Sequence, residues 1–185
     1  IERRVREILD SEAEAIKAVS INASYAKAVG FIENCKGKII TTGMGKAGFV
    51  AHKFAAILSS TATPAVFIHP AEAAHGDLGT LAPGDCIVAF STSGKTREVI
   101  EFIQLSRRMN IGSVIGITSH TDSGLRELSD VTINMGVIKE PCPLGMTPTA
   151  SMAVMAAIGD ALALVLMEKK SVTREEYGMR HHGGY

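Results

Sequence analysis

The run Cys86-Ile87-Val88-Ala89-Phe90-Ser91-Thr92-Ser93-Gly94-Lys95-Thr96-Arg97-Glu98 decides how the rest of the chain reads. Its first five residues are apolar and read as a buried strand. Val99, Ile100, Ile103, Leu105 and Met109 then recur at helical spacing. Three hydroxyls and a glycine therefore sit where a strand ends and a helix begins. Free N–H groups and the positive end of the helix dipole converge at such a point. With Ser91, Thr92, Ser93 and Thr96 they would form a neutral cradle for a phosphate. A plain helix N-cap needs only one such hydroxyl.

Working outward, the pattern repeats. Residues 38–42 and 65–68 read as strands before the 85–90 strand, and 113–118 and 131–135 after it. Helices are expected from the Gly43-Met44-Gly45-Lys46-Ala47-Gly48 turn to about 59, over 95–109, near 123–129 and over 148–169. Residues 69–84 read as loop. Apolar strands alternating with helices or long crossovers predict an α/β fold, a three-layer α/β/α sandwich on a five-stranded parallel sheet. Ligands bind such sheets beyond the strands' carboxyl ends. That puts 41–46, 69–75, 91–98 and 118–120 on one rim. Residues 1–34 show a helical stripe (Val5, Ile8, Leu9, Ile16, Val19) and read as one long leading helix, packed across the domain or on another subunit. With a core at 38–170 and a polar tail at 171–185, one domain over 1–185 is expected.

Composition narrows the function. Of 185 residues 46% are hydrophobic, enough for a sizeable core. Lys+Arg and Asp+Glu are both 19, so no broad cationic face for nucleic acid is implied. Cys35, Cys86 and Cys142 lack metal-site spacing and fit a reduced compartment. Met152 to Met167 is apolar but short and broken by Asp160, and no signal-peptide pattern is visible, so a cytoplasmic protein without membrane contact is expected.

Gly43, Gly45 and Gly48 satisfy the G-x-G-x-x-G dinucleotide spacing. The acidic residue such a site needs at the end of the second strand is replaced by His69-Pro70, which weakens that reading. Lys46 projects from this turn into a first helical turn, where a cation opposes the dipole. It is either a solvated lysine or a group that stabilises negative charge in a reaction. Glu98 either favours the dipole of its own helix or takes part in proton transfer. Glu140 lies in a loop, 138–148, that holds three of the six prolines. Loss of water there would raise its pKa, as suits a general base. His69 and His75 flank a rim loop; a metal pair is one reading, hydrogen bonding to sugar hydroxyls by His75 the other. His52 and His120 read as surface residues.

Four segments in order, Gly43-Met44-Gly45-Lys46-Ala47-Gly48, the stretch His69-Pro70-Ala71-Glu72-Ala73-Ala74-His75-Gly76-Asp77-Leu78-Gly79, Ser91-Thr92-Ser93-Gly94 and Lys139-Glu140-Pro141-Cys142-Pro143-Leu144, carry a resemblance. The chain from about Lys38 resembles the sugar isomerase (SIS) domain of the D-arabinose 5-phosphate isomerases. It departs at Ala62, where a Gly is usual, and at His182, where a Pro is usual. Members commonly carry two regulatory cystathionine-β-synthase-type modules, so this is a short form or a piece of a longer chain.

The resemblance implies a flavodoxin- or Rossmann-like fold and interconversion of D-ribulose 5-phosphate and D-arabinose 5-phosphate through an enediol. The product would feed synthesis of 3-deoxy-D-manno-octulosonate (Kdo) for surface polysaccharide. It implies catalytic Lys46, Glu98, Glu140 and His181, with Glu140 as enediol base, Glu98 assisting and His181 opening the aldose ring. Gly45, His75, Ser91, Thr92, Ser93, Gly94 and Thr96 would bind substrate. No cofactor is required; His69 could take an adventitious divalent ion. A homotetramer is implied, and a Kdo-type acid is expected to compete at the rim as a feedback ligand. A non-catalytic sugar-phosphate sensor and an isomerase for another sugar phosphate, such as a hexulose 6-phosphate, are the alternatives.

Overall fold

The computed structural model describes residues 1–184. Five strands form one parallel sheet: β1 (Ile39–Gly43), β2 (Ala65–Phe67), β3 (Cys86–Phe90), β4 (Val114–Thr118) and β5 (Val131–Asn134), in the order β2-β1-β3-β4-β5. The helices are α1 (Glu2–Lys17), α2 (Ala23–Glu33), α3 (Gly45–Ser60), α4 (Pro70–Ala73), α5 (Arg97–Arg107), α6 (Gly124–Leu128), α7 (Ala150–Lys169) and α8 (Arg174–Arg180).

Every residue of β1, β3 and β4 is buried, so both faces of the central sheet need apolar or internally bonded side chains. The period of two sorts them. Ile39, Val88, Phe90, Ile115 and Ile133 pack on one side with α2, α3 and α7. Ile40, Ile87, Ala89 and Val114 pack on the other with α4, α5 and α6. Thr41 and Thr42 are fully buried because each hydroxyl finds a carbonyl, Ala51 O at 2.8 Å and Ile68 O at 2.9 Å. The amino ends of β1 and β3 are tied by Asp85, which is 1% exposed and accepts from Lys38 N (2.8 Å), Lys38 Nζ (2.7 Å) and Ala82 N (2.8 Å). Burial works against its charge, but the Lys38 and Ala82 donors outweigh it and hold its pKa below the usual value.

α7 is long and apolar enough to cross a membrane, yet half of its apolar window is buried. It lies against α3 and α1, and Asp160 ion-pairs with Lys53 at 2.7 Å. Its buried half packs this domain, while Leu164 and Val165 stay exposed.

Two terminal expectations are corrected. The leading segment is two helices, because Asn22 accepts from Ser24 N at 2.9 Å and restarts the helix after α1 ends at Lys17. α1 buries none of its residues, and Val5 and Leu9 remain about half exposed. The tail contains α8, which starts in a capping box: Glu176 N donates to Thr173 Oγ1 (3.2 Å) and Thr173 N to Glu176 Oε2 (2.9 Å). The 69–84 stretch also has a short helix, α4, started by Pro70 in the first turn after His69.

Candidate active site

The strand order reverses between β1 and β3, and the two loops leaving these strands meet there. In the first loop a Cβ on Gly48 would stand 2.5 Å from Gly43 O, so α3 packs against β1 only with glycine there. Gly45 has φ +56° and makes the turn itself.

The second loop is self-supporting. Ser91 Oγ and Thr96 Oγ1 are 2.8 Å apart, Gly94 N donates to Ser91 O and Ser91 Oγ (both 3.1 Å), and Lys95 N donates to Ser93 Oγ (3.2 Å). Gly94 combines φ +65° with close approach: a Cβ there would lie 2.2 Å from Ser123 Oγ. The N–H groups of Thr92, Ser93 and Thr96 have no acceptor among the described residues and remain available to an anion at the start of α5.

Beyond these loops opens a cavity of about 630 Å³. Ser91, Thr92, Ser93 and Thr96 line it, as do Lys46 and Glu140. Met44, Val137, Met146 and Met152 give it an apolar wall. A neutral hydroxyl cradle, one ammonium and one carboxylate thus share a space walled in part by hydrocarbon. Such a set can hold a phosphate, stabilise an oxyanion and exchange a proton.

Glu140 is held differently from the expectation. Its Oε2 accepts from Thr149 N (2.8 Å) and Ala150 N (2.9 Å), and its Oε1 from Ser151 N (3.1 Å), at the first turn of α7. Partial burial raises its pKa, but the donors on Ser151, Thr149 and Ala150 outweigh it, and the net shift is downward. The expected rise is therefore wrong in sign. Glu140 is a pre-formed anion, oriented by the helix that follows it. In the same loop the Cys142 thiol is pulled down to about 6 by the Thr147 hydroxyl and by the N–H groups of Thr147, Met146 and Leu144.

The other predicted residues lie elsewhere in a single chain. Glu98, in the first turn of α5, is half-buried and does not line the cavity. His75 is exposed, just after α4, and also lies off it. His69 lies between β2 and α4, edge-on to Phe67, with a buried Nδ1 that has no partner among the described residues. Among the described residues no three His, Cys, Asp or Glu side chains gather as a metal site. His181 stacks on Tyr177 (5.3 Å, 12°) and lines a groove with Lys53, Ile57 and Ser60. Lys53 is already about 10 Å of helix past the rim.

Ser119, His120 and Ser151 line the cavity without having been singled out. Ser119 and His120 directly follow β4, so their place on the rim was readable. Their use depends on the Thr92 carbonyl, which accepts from Ser119 N (3.0 Å) and pairs with His120 Nδ1 (3.0 Å).

A SIS domain model matches residues 31–165. The arabinose 5-phosphate isomerase KdsD of Escherichia coli (strain K12) is 39% identical over 181 residues, covering 97% of this chain and 55% of that protein. The chain thus spans about half the length of the curated relatives it matches. A Bacteroides fragilis structure, assigned as a phosphosugar isomerase involved in capsule formation, superposes with a TM-score of 0.95 at 45% identity, over 99% of this chain and 98% of that one. An E. coli CFT073 protein in complex with arabinose 5-phosphate gives 0.92 at 34% identity, over 96% and 95%. The cradle at the strand-order reversal and these matches agree: the chain belongs to the SIS domain family.

Proposed function

We propose that this chain is an aldose-ketose isomerase interconverting D-ribulose 5-phosphate and D-arabinose 5-phosphate through an enediol. The observation that carries the reading is one cavity that combines the hydroxyl cradle at 91–96 with Lys46 and Glu140. The relatives named for arabinose 5-phosphate isomerase and the structure with bound arabinose 5-phosphate support this choice of substrate.

The phosphate rests on Ser91, Thr92, Ser93, Gly94 and Thr96, and Gly45 lets the first loop approach it. Glu140 takes a proton from C1 of the ketose, and the electron pair moves into the C1–C2 bond. Lys46 stabilises the charge on the enediolate oxygen. A proton passes from O1 to O2, and return of a proton to C2 gives the aldose. A low-pKa carboxylate is a weaker base than one raised towards 7, but it is fully ionised at neutral pH and fixed in direction. Glu98 as proton assistant, His75 as sugar ligand and His181 as ring-opening group enter on the family resemblance. Because none of the three lines the cavity of one chain, His181 of the partner subunit is the group proposed to complete the site, in a homotetramer. The enzyme is soluble and cytoplasmic, needs no cofactor beyond an adventitious ion at His69, and supplies Kdo synthesis. A Kdo-type acid would compete at the rim by setting its carboxylate on the phosphate cradle.

Purified protein given ribulose 5-phosphate should form arabinose 5-phosphate, and the reverse. Binding without turnover, or turnover only of a hexose phosphate, would replace this assignment with one of the alternatives. Subunit exchange between His181→Ala and Glu140→Gln proteins should restore activity in mixed assemblies. Verified hetero-oligomers that stay inactive would place His181 outside catalysis or within its own subunit's site.

A further inference from the structure

Two hydroxyls on the cavity wall belong neither to the 91–96 cradle nor to the Lys46 and Glu140 pair. Ser119 Oγ and Ser151 Oγ are buried and neither meets hydrogen-bond geometry with a partner among the described residues, although Ser151 Oγ is near enough to Glu140 to favour its charge. Both residues line the cavity, and Ser151 is only 1% exposed. A buried hydroxyl left unpaired carries an uncompensated loss of its hydration. Two of them on one cavity call for a ligand that pairs with both.

His120 extends the set. Its Nδ1 lies 3.0 Å from the Thr92 carbonyl, which can only accept, so Nδ1 carries the hydrogen. In the neutral ring Nε2 is then left as an acceptor. The three residues bridge the functional parts of the cavity. Ser119 and His120 adjoin the phosphate loop through Thr92 O, while Ser151 adjoins Glu140 through its own N–H. A molecule with its phosphate on the cradle and its reacting carbons at Glu140 shares one cavity with all three.

We infer that Ser119, His120 and Ser151 form a subsite for the sugar hydroxyls between the phosphate and the reacting carbons, and so set which five-carbon sugar phosphate the cavity prefers. This rests on the isomerase reading for the identity of the sugar. Groups that both donate and accept, beside a fixed acceptor, suit vicinal hydroxyls such as those on C3 and C4. The phosphate cradle alone would not tell one epimer from another.

Calorimetric binding of D-arabinitol 5-phosphate, which cannot isomerise, tests this against inorganic phosphate and the C3 epimer of the pentitol phosphate. Ser119→Ala and Ser151→Ala should each weaken the pentitol phosphate about two- to tenfold, the scale of one neutral hydrogen bond. Inorganic phosphate should bind unchanged, and the preference over the C3 epimer should narrow. His120→Asn keeps a donor for Thr92 O but removes the outer nitrogen, and should act in the same way without disturbing the loop. Unchanged pentitol binding in all three variants overturns the subsite. So does an equal loss for pentitol phosphate and inorganic phosphate, since the groups would then serve the phosphate. Failure of the isomerase reading shows separately, as no turnover of ribulose 5-phosphate by the unaltered protein.

Discussion

The loops at 91–96 and 138–148 border the same cavity but are held in opposite ways. The first has its hydroxyls fixed by bonds among its own six residues, Ser91–Thr96 and Lys95–Ser93, while its Thr92 and Gly94 carbonyls also accept from the end of β4 and the segment after it. The second, though closed locally around Cys142, has its carboxylate held from outside. Glu140 is gripped by N–H groups nine to eleven residues further on, and Arg4 of α1 reaches over to donate to Pro141 O. A locally closed loop can be read from its own letters and is ready before ligand arrives. A loop held by distant partners takes both its shape and its charge from elements that must fold first.

The largest effects should separate the two loops by kinetics. Lys46→Ala and Glu140→Gln should each lower kcat by about a hundredfold or more, the scale of a lost acid–base or charge-stabilising group. Ser93→Ala should mainly raise KM, because the remaining donors of the cradle still orient the substrate. Glu140→Gln should in addition lower thermal stability, since a neutral amide cannot balance the α7 dipole as a carboxylate does. Equal losses of kcat for Ser93→Ala and Glu140→Gln would erase the distinction.

Cys142 offers a direct probe of the externally held loop. If its N–H groups converge as described, the thiol should alkylate with half-maximal rate near pH 6, since the thiolate forms above its pKa. At pH 7 it should react about two- to threefold faster than an ordinary thiol, a roughly thirtyfold larger thiolate fraction being mostly offset by lower nucleophilicity. Cys86, pushed up to about 12 by burial, should stay unlabelled in the native protein. A Cys142 half-point near the ordinary thiol value of about 8.5 would mean that the loop is not closed around it.

What could be read in the sequence follows the same division. The five strands and their order of use were legible because apolar runs and the period of two are local properties; β1 and β3 fall within a residue or so of expectation. The hydroxyl loop was legible for that reason too. The sign of the Glu140 shift was not, because the donors belong to α7 and nothing in the Pro-rich loop announces them. His120 is exposed, as expected of a surface residue, but its place beside the phosphate loop was not legible because its partner, the Thr92 carbonyl, is a backbone atom 28 positions away. The helix restart at Asn22 was hidden by apolar residues that continue on both sides of it. The Thr173-x-x-Glu176 capping box of α8 was in plain view and went unread.

Asp85 resembles the Glu140 arrangement at the far end of β3: a buried carboxylate that gathers donors from distant Lys38 and from nearby Ala82. Its folded pKa is depressed, so its contribution is fully present above the unfolded value of about 3.9 and is lost as pH falls through the folded value. Asp85→Asn should therefore lower stability by about 1–3 kcal/mol near neutral pH, the cost of leaving part of a buried donor set unpaired. In denaturant titrations the gap to the unaltered protein should close below about pH 4. A gap that persists undiminished into strong acid would mean that packing, not charge, explains the loss.

The smallest effect tests a local signal with one unfavourable letter. α3 ends with Thr63 N donating to Leu58 O at 2.8 Å, across Ala62 in the left-handed region at φ 65°. This is the bond pattern that places glycine after a helix, and Ala62 stands where the family usually has one. A Cβ in that conformation costs roughly 1–2 kcal/mol. Lys170 compensates in part by donating to Ala62 O (2.9 Å) and Thr63 Oγ1 (2.7 Å), which fixes the turn against the end of α7. Ala62→Gly relieves the strain but frees the unfolded chain by about 0.4–1 kcal/mol. The net should be a gain below about 1 kcal/mol, or a rise in Tm of at most about 2–4 °C for a chain of this size. Lys170→Met should then destabilise the Ala62 protein more than the Ala62→Gly protein, because only the strained turn needs the clamp. Equal losses in both backgrounds would show that Lys170 acts on α7 alone, and that the turn is held by its own backbone bond.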